Sequence, residues 1–181
     1  SWTKTNATHA LNAVAPDGTT TADTFTDTND GGLTYHYDYQ TLTSIVLGVV
    51  HTISVIAKAG TKSWLNIFGQ TGPANLYGYF NLATGVVGTT NATASRITSI
   101  GAGWYKCEIT YRPTASGATL AGFNIANADL GANYQGNGTG TILIWHPQVV
   151  AASWAGPYTS TTTAAVNSGN IRYNAGTRLV A

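Results

Sequence analysis

The sequence predicts an all-β protein, an antiparallel β-sandwich, on three observations. Short runs of β-branched and aromatic residues recur along most of the chain. Clusters of Gly, Asn, Pro and Thr punctuate them, as turn chemistry requires. No long stretch carries apolar positions at helical spacing with a cap at each end. Composition agrees. The 181 residues are 43% hydrophobic but only 8% charged, against roughly 25% in typical globular chains. Thr, Gly and Asn fill the gap, the first favouring strands and the others turns.

The elements follow in order. Thr21–Thr26 comes after the turn Pro16-Asp17-Gly18, and Leu33–Thr41 after Asn29-Asp30-Gly31-Gly32. Val50–Lys58 and Ser63–Phe68 follow, then Thr71-Gly72-Pro73 and the run Leu76–Leu82, closed by Thr84-Gly85. Ser95–Ile100 turns through Gly101-Ala102-Gly103 into Tyr105–Arg112. Thr119–Ala126 and, after Asn137-Gly138, Thr141–Val149 complete nine short strands, a number and spacing that fit a sandwich. Alternation assigns faces in two of them. Tyr105, Cys107, Ile109 and Tyr111 share one side, with Lys106, Glu108 and Thr110 on a polar outer side. Ile53, Val55 and Ala57 point inward, Thr52, Ser54 and Lys58 outward, and Ile56 breaks the pattern. Residues 1–159 form the sandwich; 160–181, rich in Thr, Asn and Ser, read as a linker or an additional strand around Ile171-Arg172-Tyr173.

Charge narrows the partners. A net charge of +1, with eight Lys and Arg scattered along the chain, offers no basic stripe for phosphates, so no nucleic-acid partner is expected. No apolar run approaches the roughly 20 residues of a membrane-spanning helix, so none is expected to enter a bilayer. The lone Cys107 reads as a small core residue.

The candidates for chemistry are few. One glutamate and six aspartates give little material for a two-carboxylate glycosidase. Most aspartates sit in turn-like contexts, and an Asp38–Glu108 pair across two strands is the nearest approach. There is no Gly-x-Ser-x-Gly elbow. The four histidines lack metal-ligand spacing; His36 and Asp38 share a strand face and read as a solvated pair on an edge strand. Asn6-Ala7-Thr8, Asn91-Ala92-Thr93 and Asn137-Gly138-Thr139 match the glycosylation sequon, as chance allows in so Asn- and Thr-rich a chain. The chain is therefore not expected to be an enzyme.

Aromatic residues remain. Sugar rings present flat C–H faces that pack on Tyr and Trp, while amides bond the hydroxyls. Tyr35, Tyr37 and Tyr39 alternate along one strand face, Tyr77 and Tyr79 along another, and Trp64 follows the Gly60-Thr61-Lys62 turn. Tyr134, Gln135 and Asn137 sit in a long loop before the last strand. Tyr35, Tyr37, Tyr39, Trp64, Tyr77, Tyr79, Tyr134 and Gln135 are the candidate carbohydrate contacts, against the alternative that tyrosine stripes cover a core. Trp104 and Tyr105 read as packing residues, and Trp154 and Tyr158, flanking Gly156-Pro157, as pins for the C-terminal segment.

Taken together, Ala15–Asp23, Ile53–Gly60, Tyr79–Thr89, Gly103–Cys107 and Ile142–Gln148 resemble a domain used repeatedly in predicted head-spike, head-fibre and tail-fibre proteins of tailed phages. Those domains look like jelly-roll carbohydrate-binding modules, and the resemblance runs from about Trp2 to Tyr158. It implies a jelly roll, a location on the virion surface or otherwise extracellular, and a polysaccharide or cell-surface glycan as partner. A capsid-decoration or fibre-assembly role, with other virion proteins or further copies of the chain as partners, is the alternative. Family members usually carry a strand upstream of the Ser-Trp-Thr-Lys-Thr-Asn phrase at which this chain starts, so a fragment, or a strand borrowed from a neighbour, is expected. No cofactor is expected. Many jelly-roll modules hold a structural calcium through an acidic residue in the last core strand, where this chain has Trp145 and His146. Asp129 or Asp23 would have to supply that charge.

Overall fold

The computed structural model describes residues 2–71, 74–114, 117–158, 171–174 and 178–179. Its strands are β1 (Thr3–Thr5), β2 (Ala7–Ala13), β3 (Ala22–Asp27), β4 (Asn29–Ile45), β5 (His51–Ala59), β6 (Trp64–Thr71), β7 (Ala74–Asn81) and β8 (Val86–Thr90). They continue with β9 (Ala94–Gly101), β10 (Trp104–Tyr111), β11 (Gly117–Ala126), β12 (Asn133–Asn137), β13 (Thr141–Val150), β14 (Ile171–Asn174) and β15 (Arg178–Leu179). Among the described residues there is no helix, and none therefore long and apolar enough to cross a membrane.

Two antiparallel sheets pack face to face. The first runs β1-β4-β11-β6-β7-β8, with β12 also on β4; the second runs β15-β14-β13-β5-β10-β9, with β3 on β13 and β2 on β3. Taking β3, β4, β5, β6, β7, β10, β11 and β13 as eight core strands numbered in that order, the sheets read 2-7-4-5 and 1-8-3-6. That interleaving is the jelly roll. All nine strands expected from the sequence are present. The Asn29–Gly32 turn is not one: those residues open the long strand β4. The turn at Gly72-Pro73 lies outside the described residues, as does most of the 160–181 segment, of which β14 pairs with β13.

Alternation builds the core. Leu65 and Ile67 on β6, Phe80 on β7, and Ala121, Phe123 and Ile125 on β11 face Ile53, Val55, Cys107, Ile109, Ile142 and Ile144 of the second sheet. Phe25 of β3 meets Phe123 edge-on at 5.6 Å between ring centroids, and Trp2 tilts onto Phe123 at 5.3 Å, tying the layers together. Ile56, the apparent exception on β5, belongs to a second small core on the outer side of that sheet. There Ala13, Ala15, Ala22 and Trp104 pack with Ile56, Leu143 and Trp145.

The polar outer side of β10 is not solvated as alternation suggested. Glu108 is 3% exposed because the chain after β13 folds back over it. Its carboxylate accepts from Arg96 Nε at 2.9 Å and the Ala155 backbone N–H at 3.1 Å, and pairs with Lys106 Nζ at 3.1 Å. Gln148 Nε2 donates to the Gly156 carbonyl at 3.1 Å. This clamp fixes the segment through Ala155 and Gly156, and Tyr158 adds a stack on His146 at 3.6 Å, while Trp154 stays about half exposed. Cys107 is fully buried, and burial together with the neighbouring Glu108 charge pushes its thiol well above the ordinary range. A thiol reagent such as DTNB is expected to leave the native protein unlabelled and to react once denaturant is added; stoichiometric labelling of the native state would contradict this burial.

Candidate functional site

The outer face of the first sheet carries the side chains that alternate with the core. On β6, Leu65 and Ile67 point inward, so Asn66, Phe68 and Gln70 point out. The same parity puts Tyr35, Tyr37 and Tyr39 outward on β4, Leu120 and Asn124 on β11, and Tyr77 and Tyr79 on β7. Register then sets them in rows across the sheet. Tyr37, Asn124, Asn66 and Tyr79 lie side by side on β4, β11, β6 and β7; Tyr39, Gly122, Phe68 and Tyr77 form the next row. The result is an open groove of ≈ 430 Å³, walled by Tyr35 and Tyr37 on one side and Tyr77 and Tyr79 on the other, with Phe68 and amides between. At about 4.8 Å per strand, the two aromatic walls stand roughly 14 Å apart at the backbone.

The floor is held by a network whose orientation is determined. Asn66 Nδ2 donates to the carbonyls of Ile67 at 3.2 Å and Gly78 at 3.3 Å, so its Oδ1 must face Asn124. Asn124 Nδ2 donates to that oxygen at 2.7 Å. Asn124 Oδ1 is buried beneath the floor and has no protein hydrogen-bond partner among the described residues.

The walls are braced from behind. Tyr37 meets Phe68 edge-on at 5.7 Å and Tyr39 at 5.7 Å, while Tyr77 and Tyr79 meet edge-on at 5.8 Å. Burial pushes the Tyr79 phenol above its ordinary range, so at neutral pH it is an intact hydroxyl. Beside the wall, Asn91 Oδ1 accepts from the Tyr77 N–H at 2.7 Å, and Asn91 Nδ2 donates to the Asn75 carbonyl at 2.9 Å. Asn91, the centre of one sequon, thus uses its amide to extend the β7 ladder.

Of the eight candidate contacts, Tyr35, Tyr37, Tyr77 and Tyr79 line the groove. Tyr39 stands beside Tyr37 on the same face. Trp64 does not line it; the indole packs with Tyr77, Tyr79, Ala126 and Ala132 and against the backbone of Gly88. Tyr134 and Gln135 are not in a loop but on β12, which pairs with the start of β4. Gln135 is exposed opposite Leu33, beyond the groove's end. Tyr134 is buried on the inner side, where its hydroxyl donates to Asp27 at 3.0 Å and Lys62 sits 4.7 Å over its ring. It has no surface to offer a ligand in the groove. Asn66, Phe68, Gln70, Asn75 and Asn124 were not among the expected contacts. Their signal was period-2 alternation with Leu65, Ile67, Phe123 and Ile125, which marks every second residue as outward.

The titratable groups are used structurally. His36 and Asp38 are not a solvated edge pair: they are 0% and 2% exposed, on an inner strand. His36 Nδ1 lies 2.8 Å from the Asn6 carbonyl and its Nε2 3.2 Å from that of Tyr134. Asp38 faces His9 at 3.3 Å inside the sandwich, while Glu108 sits in its clamp outside the other sheet, so the two acids are on separate surfaces. Asp23, Asp27, Asp30 and Asp38 are on strands; Asp17 and Asp129 are in turns. Asp129 accepts from the Thr89 N–H and hydroxyl, and Asp23 lies 3.7 Å from His9. Among the described residues no group of His, Cys, Asp and Glu is placed to hold a metal ion.

A second cavity of ≈ 590 Å³ lies where the last core strand bulges, between Trp2, Asp17, Thr19, Thr21, Asp23 and the rings of Trp145, His146 and Tyr158. His146 is stacked between Trp145 at 3.5 Å and Tyr158 at 3.6 Å, with its backbone at φ 51°. Burial pushes its pKa down to about 4 from 6.5, against a smaller opposing pull from Asp17. Burial also lowers His51. A histidine depressed in the fold binds protons more readily when unfolded, so its stabilising effect is complete above pH 6.5 and is lost as pH falls toward 4. The melting temperature is expected to drop across that window, and less steeply in His146→Asn, which keeps a residue type suited to positive φ. An NMR titration of His146 with a midpoint near 6.5 would contradict this. Asp17, fully exposed, is held below the usual carboxylate range by Thr19, so it does not keep the proton a general acid needs.

No protein-family model matches the chain, and no curated protein matches it.

Proposed function

We propose that the protein is a non-catalytic carbohydrate-binding module, of the kind displayed on phage virions and meeting a polysaccharide outside the cell. The observation that carries this reading is the groove itself: four tyrosines and a phenylalanine set around paired asparagine amides on a rigid sheet. Rings supply the faces on which C–H surfaces of sugars pack, and the amides and phenols supply hydroxyl partners. Recognition needs no bond-making, and no cofactor enters it. Single-site binding is weak, and several copies on one particle would raise avidity. Retention of the purified chain on a polysaccharide column, with no release of reducing sugar, tests this.

A second reading, a capsid-decoration or fibre-assembly domain, is favoured by the exposed apolar run Val46, Leu47 and Val49 between β4 and β5. Light scattering separates the two. A stable oligomer that ignores every glycan supports assembly; a monomer retained on the column supports recognition.

A further inference from the structure

Resting on the carbohydrate-binding reading, we propose that the groove takes an uncharged polysaccharide and rejects chains of uronic acids. Every side chain lining it is aromatic, aliphatic or amide; Lys, Arg, Asp, Glu and His are all missing from its walls among the described residues. A carboxylate moved from water onto such a surface loses hydration and meets no cation in return. The ring faces add to that penalty, because their quadrupoles present negative charge to whatever stacks on them. The Asp129 carboxylate, which acts on the Tyr79 phenol of the wall, repels an anion further. Net charge is +1 with the basic residues scattered, so no focused field draws a polyanion to this face.

The hydrogen-bonding pattern agrees. Asn66 spends both amide hydrogens on backbone carbonyls and Asn124 donates to Asn66, so the floor amides are committed to the sheet, and none of them carries the charge that a carboxylate would need. The aromatic walls, roughly 14 Å apart at the backbone, suit several consecutive sugar units rather than one ring.

Affinity electrophoresis of the whole chain at physiological salt tests this, in gels containing hydroxyethylcellulose, galactomannan or polygalacturonate. The expected result is retardation by one or both neutral polymers, lost in Tyr37→Ala, with polygalacturonate binding at least tenfold more weakly. Gln70→Lys at the exposed rim should add retardation by polygalacturonate without lowering the melting temperature. Wild-type retardation by polygalacturonate equal to that of the neutral gels would overturn the charge assignment while leaving carbohydrate binding intact. Migration unaffected by all three polymers would overturn both. Neutral retardation that survives Tyr37→Ala would move the site off this groove and overturn the inference with it.

Discussion

Gly122→Ala is expected to lower the melting temperature by about 6–12 °C, from a destabilisation of about 3 kcal/mol in a domain of this size. Gly122 lies on β11 between Tyr39 of β4 and Phe68 of β6. A methyl carbon there would sit well inside contact distance of the Asp38 carbonyl oxygen and 2.7 Å from the Phe68 ring. The ring can swing, but the carbonyl belongs to the neighbouring strand and cannot move without parting the ladder. The effect therefore falls at the top of the overpacking range. It also reaches the groove, because a displaced Phe68 loses its edge contact with Tyr37. Gly32→Ala is the control: it lies on the neighbouring strand β4, where an added carbon meets nothing within 4 Å. Equal melting temperatures for the two variants would show that the close approach at Gly122 is not real.

The second large effect is on binding. Tyr37→Ala and Tyr79→Ala are each expected to weaken a bound polysaccharide about tenfold, the 1.4 kcal/mol scale of an aromatic contact in a recognition site. Tyr37 is half-buried and outside the hydrophobic clusters, whereas Tyr79 is 7% exposed and packs with Ala126 and Ala132, so its truncation also costs stability. The two residues are three strands apart, far enough for their effects to add. The double variant should thus bind about a hundredfold more weakly at a temperature where it is still folded, with its melting temperature lowered by the Tyr79 truncation and not by that of Tyr37. A loss in the double variant no greater than in either single one would mean that only one wall is in use. Isothermal titration with a soluble oligosaccharide reads both quantities.

How much of this was legible beforehand depended on the kind of signal. Strands with strong alternation, such as Tyr105–Tyr111 and Val50–Lys58, declared themselves through period-2 patterning. The weak ones did not. β2, Ala7–Ala13, is built of small and polar residues, and β12, Asn133–Asn137, of turn-forming types; both are strands because neighbours pair with them. The tyrosine stripes were visible, but their direction was not. Whether Tyr35, Tyr37 and Tyr39 or the alternating His36 and Asp38 face inward is settled by tertiary packing. Here the polar set goes in, because His9, the Asn6 carbonyl and the Tyr134 carbonyl are there to meet it. Propensity and hydropathy on β4 alone favour the opposite choice. Tyr134 misled for the same reason: its hydroxyl finds Asp27 across 107 positions of sequence. The amide floor was missed because single asparagines in strands read as turn formers, and only the register that sets Asn124 beside Asn66 makes them a pair.

The central claim is that the outer face of β4, β11, β6 and β7 is the recognition surface. Backbone amide chemical-shift mapping during titration with a neutral oligosaccharide tests it most directly. The account requires the perturbed amides to cluster at positions 35–39, 66–70, 75–79 and 120–124, with the second sheet silent. Perturbations centred instead on the Trp145–His146–Tyr158 stack, or on the apolar run at 46–49, would contradict it.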